Sequence, residues 1–291
     1  MRPRSSRAIG SRRWRGVTGA AVAFTVGLTA SATASANPPG AAAPDWAFRS
    51  APAEAVLAGV SAASMAMYFI PQQRIGWAPY AARPHHPTLA RISDFTGALG
   101  GAFLLGGGMT LFEGAYLAQH GVPNPYARAL RTTLIDAEAV MLATGIVATV
   151  KRLTGRCRPR AWHDGRCRGD DEEFTAFPSG HTTPVAAIAG VHLSLLARTP
   201  GNGALRLGAL GLAEASTLVT MALRIGAGAH SWEDVGAGFL LGHVVGVAVG
   251  YAHPMVDLGP GRGAQGSAAS AMAVGAGSPL SSPLFSWAGT F

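Results

Sequence analysis

Asp234-Val-Gly-Ala-Gly-Phe-Leu-Leu-Gly-His-Val-Val-Gly-Val-Ala-Val-Gly-Tyr251 runs for eighteen residues with a single carboxylate, at its first position. Polar and apolar residues do not alternate along it, so it does not read as a half-buried strand. It is also too long for a fully buried one, which leaves a helix. The preceding Ser231-Trp-Glu-Asp234 has the spacing of a capping box, in which side chains bind the amides that a helix start leaves free.

Five more stretches of this kind lie upstream, at 54–70, 94–117, 129–150, 181–197 and 205–223. All are rich in Ala, Leu, Val and Gly, and Ser93-Asp94 offers a start for the second. The pattern predicts an all-α fold, a six-helix bundle. The helical domain is expected over 51–255. Residues 37–50 form a Pro/Ala/Gly linker and 256–291 a flexible Gly/Ala/Ser/Pro tail.

The chain has 291 residues and a net charge of +8. That basicity is not a nucleic-acid footprint, because six arginines fall in the first fifteen residues. Those arginines, the apolar run Val17–Leu28 and the small residues Ala34-Ser35-Ala36 have the three parts of a secretory signal. Residues 1–36 are therefore read as a signal peptide, with an uncleaved anchor as the alternative. Without them the remainder carries +2. The expected location is exported, periplasmic or membrane-associated, with an integral membrane protein as the second reading. Charges at Arg131, Asp136, Glu138, Arg206 and Glu214 weigh against spanning, since such charges are costly in lipid. Export would also permit a disulfide between Cys157 and Cys167.

Three polar segments adjoin helix ends. The first is Lys151-Arg-Leu-Thr-Gly-Arg-Cys-Arg158-Pro159, in which Lys151 is the sole lysine of the protein. Guanidinium forks match phosphate oxygens and an ammonium supplies a point charge. The second is Pro178-Ser179-Gly180-His181, opening the fourth helix. Ser179 can cap, Gly180 admits a ligand close to the backbone, and a helix N-terminus favours an anion. The third is Arg224-Ile-Gly-Ala-Gly-Ala-His230-Ser-Trp-Glu-Asp234. Asp234 lies one helical turn from His230, close enough to hold one imidazole nitrogen as a donor and leave the other as a nucleophile. Gly226 and Gly228 would leave room near a ligand. His85, His86, His192 and His243 read as surface or core residues rather than ligands, and no metal cluster is expected. Asp136 and Glu138 read as a polar helix face.

Taken together and in order, these segments resemble the type 2 phosphatidic acid phosphatase and vanadium haloperoxidase superfamily. Its pattern is Lys-x6-Arg-Pro, then Pro-Ser-Gly-His, then Ser-Arg-x5-His-x3-Asp. Leu223 stands where the family has serine, which removes a supporting hydrogen bond. The resemblance covers about 54–252 and implies the phosphatase branch: a phosphoric ester hydrolase acting on a lipid phosphate or a small soluble phosphate ester. It implies that His230 is a nucleophile forming a phosphohistidine and that Asp234 orients it. His181 would be the acid and then the base. Lys151, Arg158, Arg224, Ser179 and Gly180 would bind the phosphoryl oxygens. No cofactor is implied. Vanadate would act as an inhibitor, or as the cofactor if the chain were a haloperoxidase. A non-catalytic anion-binding membrane protein is the third reading. A membrane is expected beside or around the protein, and nucleic acid is not expected as a partner.

Overall fold

In the computed structural model, the structure describes residues 45–46, 51–77, 81–97, 99–199 and 203–256. The expected signal and nearly all of the expected linker and tail lie outside the described residues. Eight helices are described: α1 (Ala51–Ser64), α2 (Pro87–Gly97), α3 (Leu99–Gln119), α4 (Pro125–Thr154), α5 (Pro159–His163), α6 (Thr182–Arg198), α7 (Gly203–Gly226) and α8 (Trp232–Ala252). A 3-10 turn, Met65–Phe69, continues α1. Two-residue strands β1 (Asp45–Trp46) and β2 (Met255–Val256) pair antiparallel, so the ends of the expected linker and tail are structured.

The fold is all-α as expected, and six of its helices match the six apolar stretches. The second stretch differs. Its proposed start, Ser93-Asp94, lies inside α2, which begins at Pro87, where a proline with its fixed φ is suited to the first helical turn. Gly97 is the last described residue of α2. A Cβ there would fall 2.7 Å from both His181 Cβ and Thr220 Cγ2. Only a glycine lets α2 pass this closely over the start of α6.

Helix α6 is the axis of the bundle and is buried from Thr182 through His192. Helix α8 lies against it along Gly238, Gly242 and Gly246, one glycine per turn. A Cβ on Gly242 would sit 2.4 Å from the Thr183 carbonyl oxygen, and one on Gly246 only 2.0 Å from that of Ala187. Gly190 of α6 returns the contact, since a Cβ there would fall 2.6 Å from the His243 carbonyl oxygen. This is backbone-on-backbone packing through small residues. Around it, Ile135, Ala139 and Ala143 of α4 join Ala187, Val191, Leu195, Val245 and Val249 in the main core cluster.

The mid-helix charges turn inward and pair. Arg206 meets Glu113 at 2.7 Å, His192 meets Asp136 at 3.4 Å, His243 meets Glu214 at 2.7 Å and His253 meets Glu138 at 3.2 Å. Asp136 and Glu138 are therefore buried partners of histidines, not a polar surface. The outer surface carries Phe103, Leu111, Phe112, Leu130, Leu212, Leu240 and Val244 exposed. Helices α4, α7 and α8 are each long and apolar enough to cross a membrane.

The α6–α8 seam predicts a sharp contrast between glycines on opposite faces of α8. G246A should lower the unfolding midpoint of detergent-solubilised protein by an amount equivalent to about 1–3 kcal/mol. G236A, whose Cβ would meet nothing within 4 Å, should be neutral or gain up to about 1 kcal/mol. Equal midpoints for the two variants would exclude close packing at this seam.

Candidate active site

Four helix ends and a short helix start meet at one end of the bundle. Helix α4 delivers Lys151 in its last turn and stops at Gly155, whose φ of 52° is left-handed. A Cβ on Gly155 would lie 2.4 Å from the Gln73 carbonyl oxygen, so the loop after α1 crosses here. That loop is sewn down by Gln73 N–H to the Arg152 carbonyl (3.0 Å) and Gly76 N–H to the Gly155 carbonyl (3.0 Å). Arg158 precedes α5, Ser179–His181 precede α6, Arg224 closes α7, and His230 precedes α8. All the sequence-predicted site residues are thereby brought to one end. Cys157 and Cys167 form a disulfide across the intervening loop, with Cα atoms 6.0 Å apart.

Lys151 and Arg158 bind a single strip of chain, residues 172–175. Lys151 Nζ donates to the Thr175 carbonyl oxygen. Arg158 donates to the Glu172 carbonyl (3.0 Å) and the Thr175 hydroxyl (3.1 Å). A Cβ on Gly180 would stand 3.2 Å from Lys151 Cε, so the glycine lets the lysine lie across the amides that open α6. The Ser179 hydroxyl accepts from the Thr182 hydroxyl at 3.0 Å and from the Thr182 N–H at 3.4 Å. Arg224 is buried and donates through Nη1 to the Ser93 hydroxyl (3.0 Å) and the Asp94 carboxylate (2.6 Å). The hydroxyl support absent at Leu223 thus comes from α2.

His230 is buried, and its Nδ1 lies 2.7 Å from the Ala176 carbonyl oxygen. A carbonyl only accepts, so Nδ1 carries the proton and Nε2 presents its lone pair. Asp234 stands farther off, 3.8 Å from Nδ1. Its Oδ2 accepts from the Ser231 N–H (2.8 Å) and hydroxyl (2.9 Å), so the carboxylate anchors the expected capping box. Its Oδ1 pairs with Arg156 at 3.1 Å. The Asp234 carbonyl oxygen also accepts from the Ser179 N–H at 2.9 Å, tying the start of α8 to that of α6. Gly226 and Gly228 give room to the chain rather than to a ligand: they abut Leu89 and the Pro84 carbonyl.

Burial is the main force on the two histidines. It pushes His181 down to about 3, with Arg224, Arg158 and Lys151 adding repulsion. It also drives His230 well below its ordinary range, helped by the same three cations. Arg158 is lowered to about 10 by burial and by Arg160 and Arg224, and stays charged at neutral pH. The site is therefore a positive pocket with neutral imidazoles, suited to an anion and to nucleophilic attack.

Sequence reasoning missed four contributors. Ser93 and Asp94 were assigned to a helix start, Arg156 passed as one of several loop arginines, and the Ala176 carbonyl has no side-chain signature. The Arg-x-Arg spacing of Arg156 and Arg158 was the available clue, because in an extended segment alternate residues share a face.

Residues 133–257 match the model of the PAP2 superfamily, a span that holds every one of the expected site residues. Such a match supports phosphatase-type chemistry. The chain is also similar to the crystal structure of a transmembrane PAP2-type phosphatidylglycerolphosphate phosphatase from Bacillus subtilis. The identity is 16%, over 69% of this chain and 86% of that one, with a TM-score of 0.34. A search of curated proteins finds no match.

Two histidines held neutral make stability depend on acid. In the unfolded chain both protonate near 6.5, while in the folded protein they resist protonation. Below about pH 6.5 the unfolded state then binds more protons, and stability falls as pH drops toward 3. The unfolding midpoint measured from pH 7 to pH 4 should decline, and H181Q/H230Q should flatten that decline. An unchanged slope in the double variant would show that these histidines are not the cause.

Proposed function

With a PAP2-superfamily match spanning the whole site, we propose that the protein is a membrane-embedded phosphatase that hydrolyses a lipid phosphomonoester through a phosphohistidine on His230. The observation that carries this reading is the meeting of Lys151, Arg158 and Arg224 with the His230 Nε2 lone pair at the N-terminus of α6. Three cations and free amide donors fit the equatorial oxygens of a transferring phosphoryl group. His230 Nε2 forms the P–N bond as the P–O bond to the alcohol breaks, and His181 gives its proton to the departing oxygen. His181 then takes a proton from water, whose oxygen attacks phosphorus. The P–N bond breaks, and phosphate leaves.

A lipid is favoured over a soluble ester by an apolar cavity of about 440 Å³ among α2, α3, α6 and α7. Phe95, Thr96, Leu105, Val185, Ala215, Ser216 and Val219 line it. Phe95 adjoins Asp94, and Val185 lies one turn along α6 from His181. Helices α2, α3, α6 and α7 thus bound an apolar groove suited to the chain attached to a phosphate.

The surface supports embedding. Trp77, Trp162 and Trp232 are exposed at the site end, and Tyr126 and Tyr251 at the other. Aromatic rings gather at both interfaces of a membrane protein. From Trp232 to Tyr251 is nineteen steps along α8, or roughly 28 Å at 1.5 Å per residue, close to the hydrocarbon thickness. The pairing of Asp136, Glu138, Arg206 and Glu214 with partners outside their own helices answers the objection to spanning for four of the five charges that raised it. Because disulfides persist in oxidising surroundings, we read the site end as outward-facing. Helices α1, α3, α4, α6, α7 and α8 alternate in direction, so β1 and β2 then lie at the inner face.

Purified protein should release phosphate from a lipid phosphomonoester in mixed micelles at least tenfold faster than from its short-chain analogue. H230A should retain less than about 1% of that activity, as expected for loss of the attacking group, and orthovanadate should compete with substrate. Phosphate release unaffected by H230A would refute the mechanism, and equal rates on both esters would refute the lipid preference. For orientation, an impermeant maleimide added to intact cells should label Cys157 and Cys167 only after reduction. Free thiols shielded from the reagent would reverse the assigned facing.

A further inference from the structure

Asp94 stands at the mouth of the site on α2, a helix that contributes none of the motif residues. Its Oδ1 lies 2.6 Å from Arg224 Nη1 and 3.3 Å from His181 Nε2. It is the only carboxylate at ion-pair distance from His181 among the described residues. The position is held from behind, because Gly97 lets α2 ride on the His181 Cβ itself. The side chain is otherwise open to water, with 61% exposure.

The chemistry of His181 makes this contact consequential. To donate a proton to a departing alkoxide, the imidazole must be charged at the start of the step. Its surroundings oppose that charge: Arg224 on α7, Lys151 on α4 and Arg158 beside α5 all repel it, and it is largely buried. His230, held neutral, offers no compensation. Bound phosphate cancels part of the field, but its oxygens are shared among three cations.

We propose that Asp94 is a positioning residue that keeps the proton on His181 Nε2, making His181 an effective acid toward a poor leaving group. The proposal rests on the phosphatase reading. Ser93 separates it from a simpler role, because Ser93 also binds Arg224 but has no recorded contact with His181.

The test compares wild type, D94N, D94E and S93A on two esters, p-nitrophenyl phosphate and an alkyl phosphate. An aryl leaving group departs with little help from an acid, whereas an alkyl group needs it. D94N should lower kcat on the alkyl ester tenfold or more and on the aryl ester less than threefold. It should also move the alkaline limb of the kcat profile down by about one pH unit or more, as expected when an opposite charge is removed from a neighbouring imidazole. D94E should restore part of both effects. S93A should raise KM through Arg224 and leave the alkaline limb in place. Equal losses on the two esters with an unmoved limb would overturn the proposal, leaving Asp94 as support for Arg224 alone. If the wild type released phosphate from neither ester, the phosphatase reading itself would fail, a result distinct from any outcome for the variants.

Discussion

The contact between α6 and α8 sets how closely the start of α8 approaches that of α6. Gly238, Gly242 and Gly246 let the two backbones touch, with Gly190 answering from α6. Glycine in a helix costs about 0.5–1 kcal/mol relative to alanine, and a run of three is justified only where a side chain would hold the helices apart. Their separation fixes how far His230, just ahead of α8, stands from the amides that open α6. The Ser179–Asp234 backbone bond closes the same seam at its upper end. Add one methyl group along the seam, and nucleophile and anion site part.

Charge is treated differently at the two ends of the bundle. Away from the site, each named charge has an opposite or titratable partner inside the protein, as in Arg206–Glu113 and His192–Asp136. An apolar exterior is thereby compatible with a charged interior. At the site, Lys151 meets a carbonyl and Arg158 meets carbonyl and hydroxyl oxygens besides the exposed Glu172 at 3.4 Å. Neutral oxygens are weak substitutes for an anion. The excess of positive charge is left for a ligand to cancel, and it suppresses protonation of both histidines.

Much of this was legible in sequence for reasons that can be named. Long apolar runs without alternation marked the helices, and the three spaced segments singled out side chains that the fold gathers at one end of the bundle, because their chemistry is characteristic. The close approach of α2 to the start of α6 was not legible: it depends on Gly97 meeting His181 across the fold, and the local signal at Ser93-Asp94 pointed elsewhere. Nor was the glycine seam recognised, since glycine there marks the partner's backbone rather than any property of α8. The mid-helix charges were misread for the same reason. Asp136 and Glu138 look like a polar face until His192 and His253 arrive from other helices.

At Asp234 the contacts differ from those its spacing suggests. Its spacing from His230 suggests an orienting carboxylate, yet its oxygens go to Ser231 and Arg156, and the proton of His230 goes to Ala176. The His230 ring is therefore aimed by the 172–177 segment. That segment also receives Lys151 at Thr175, Arg158 at Glu172 and Thr175, and Thr154 at Phe177. Nucleophile and cradle share one piece of backbone, so a shift that moved the cations would move the attacking nitrogen with them. Asp234 then acts one step back: it fixes where α8 begins, through the capping box, and holds Arg156, whose carbonyl accepts from the Ala176 N–H at 3.0 Å. The carboxylate positions the histidine through the chain rather than through the ring, which explains why an acid 3.8 Å from the imidazole still belongs to the site.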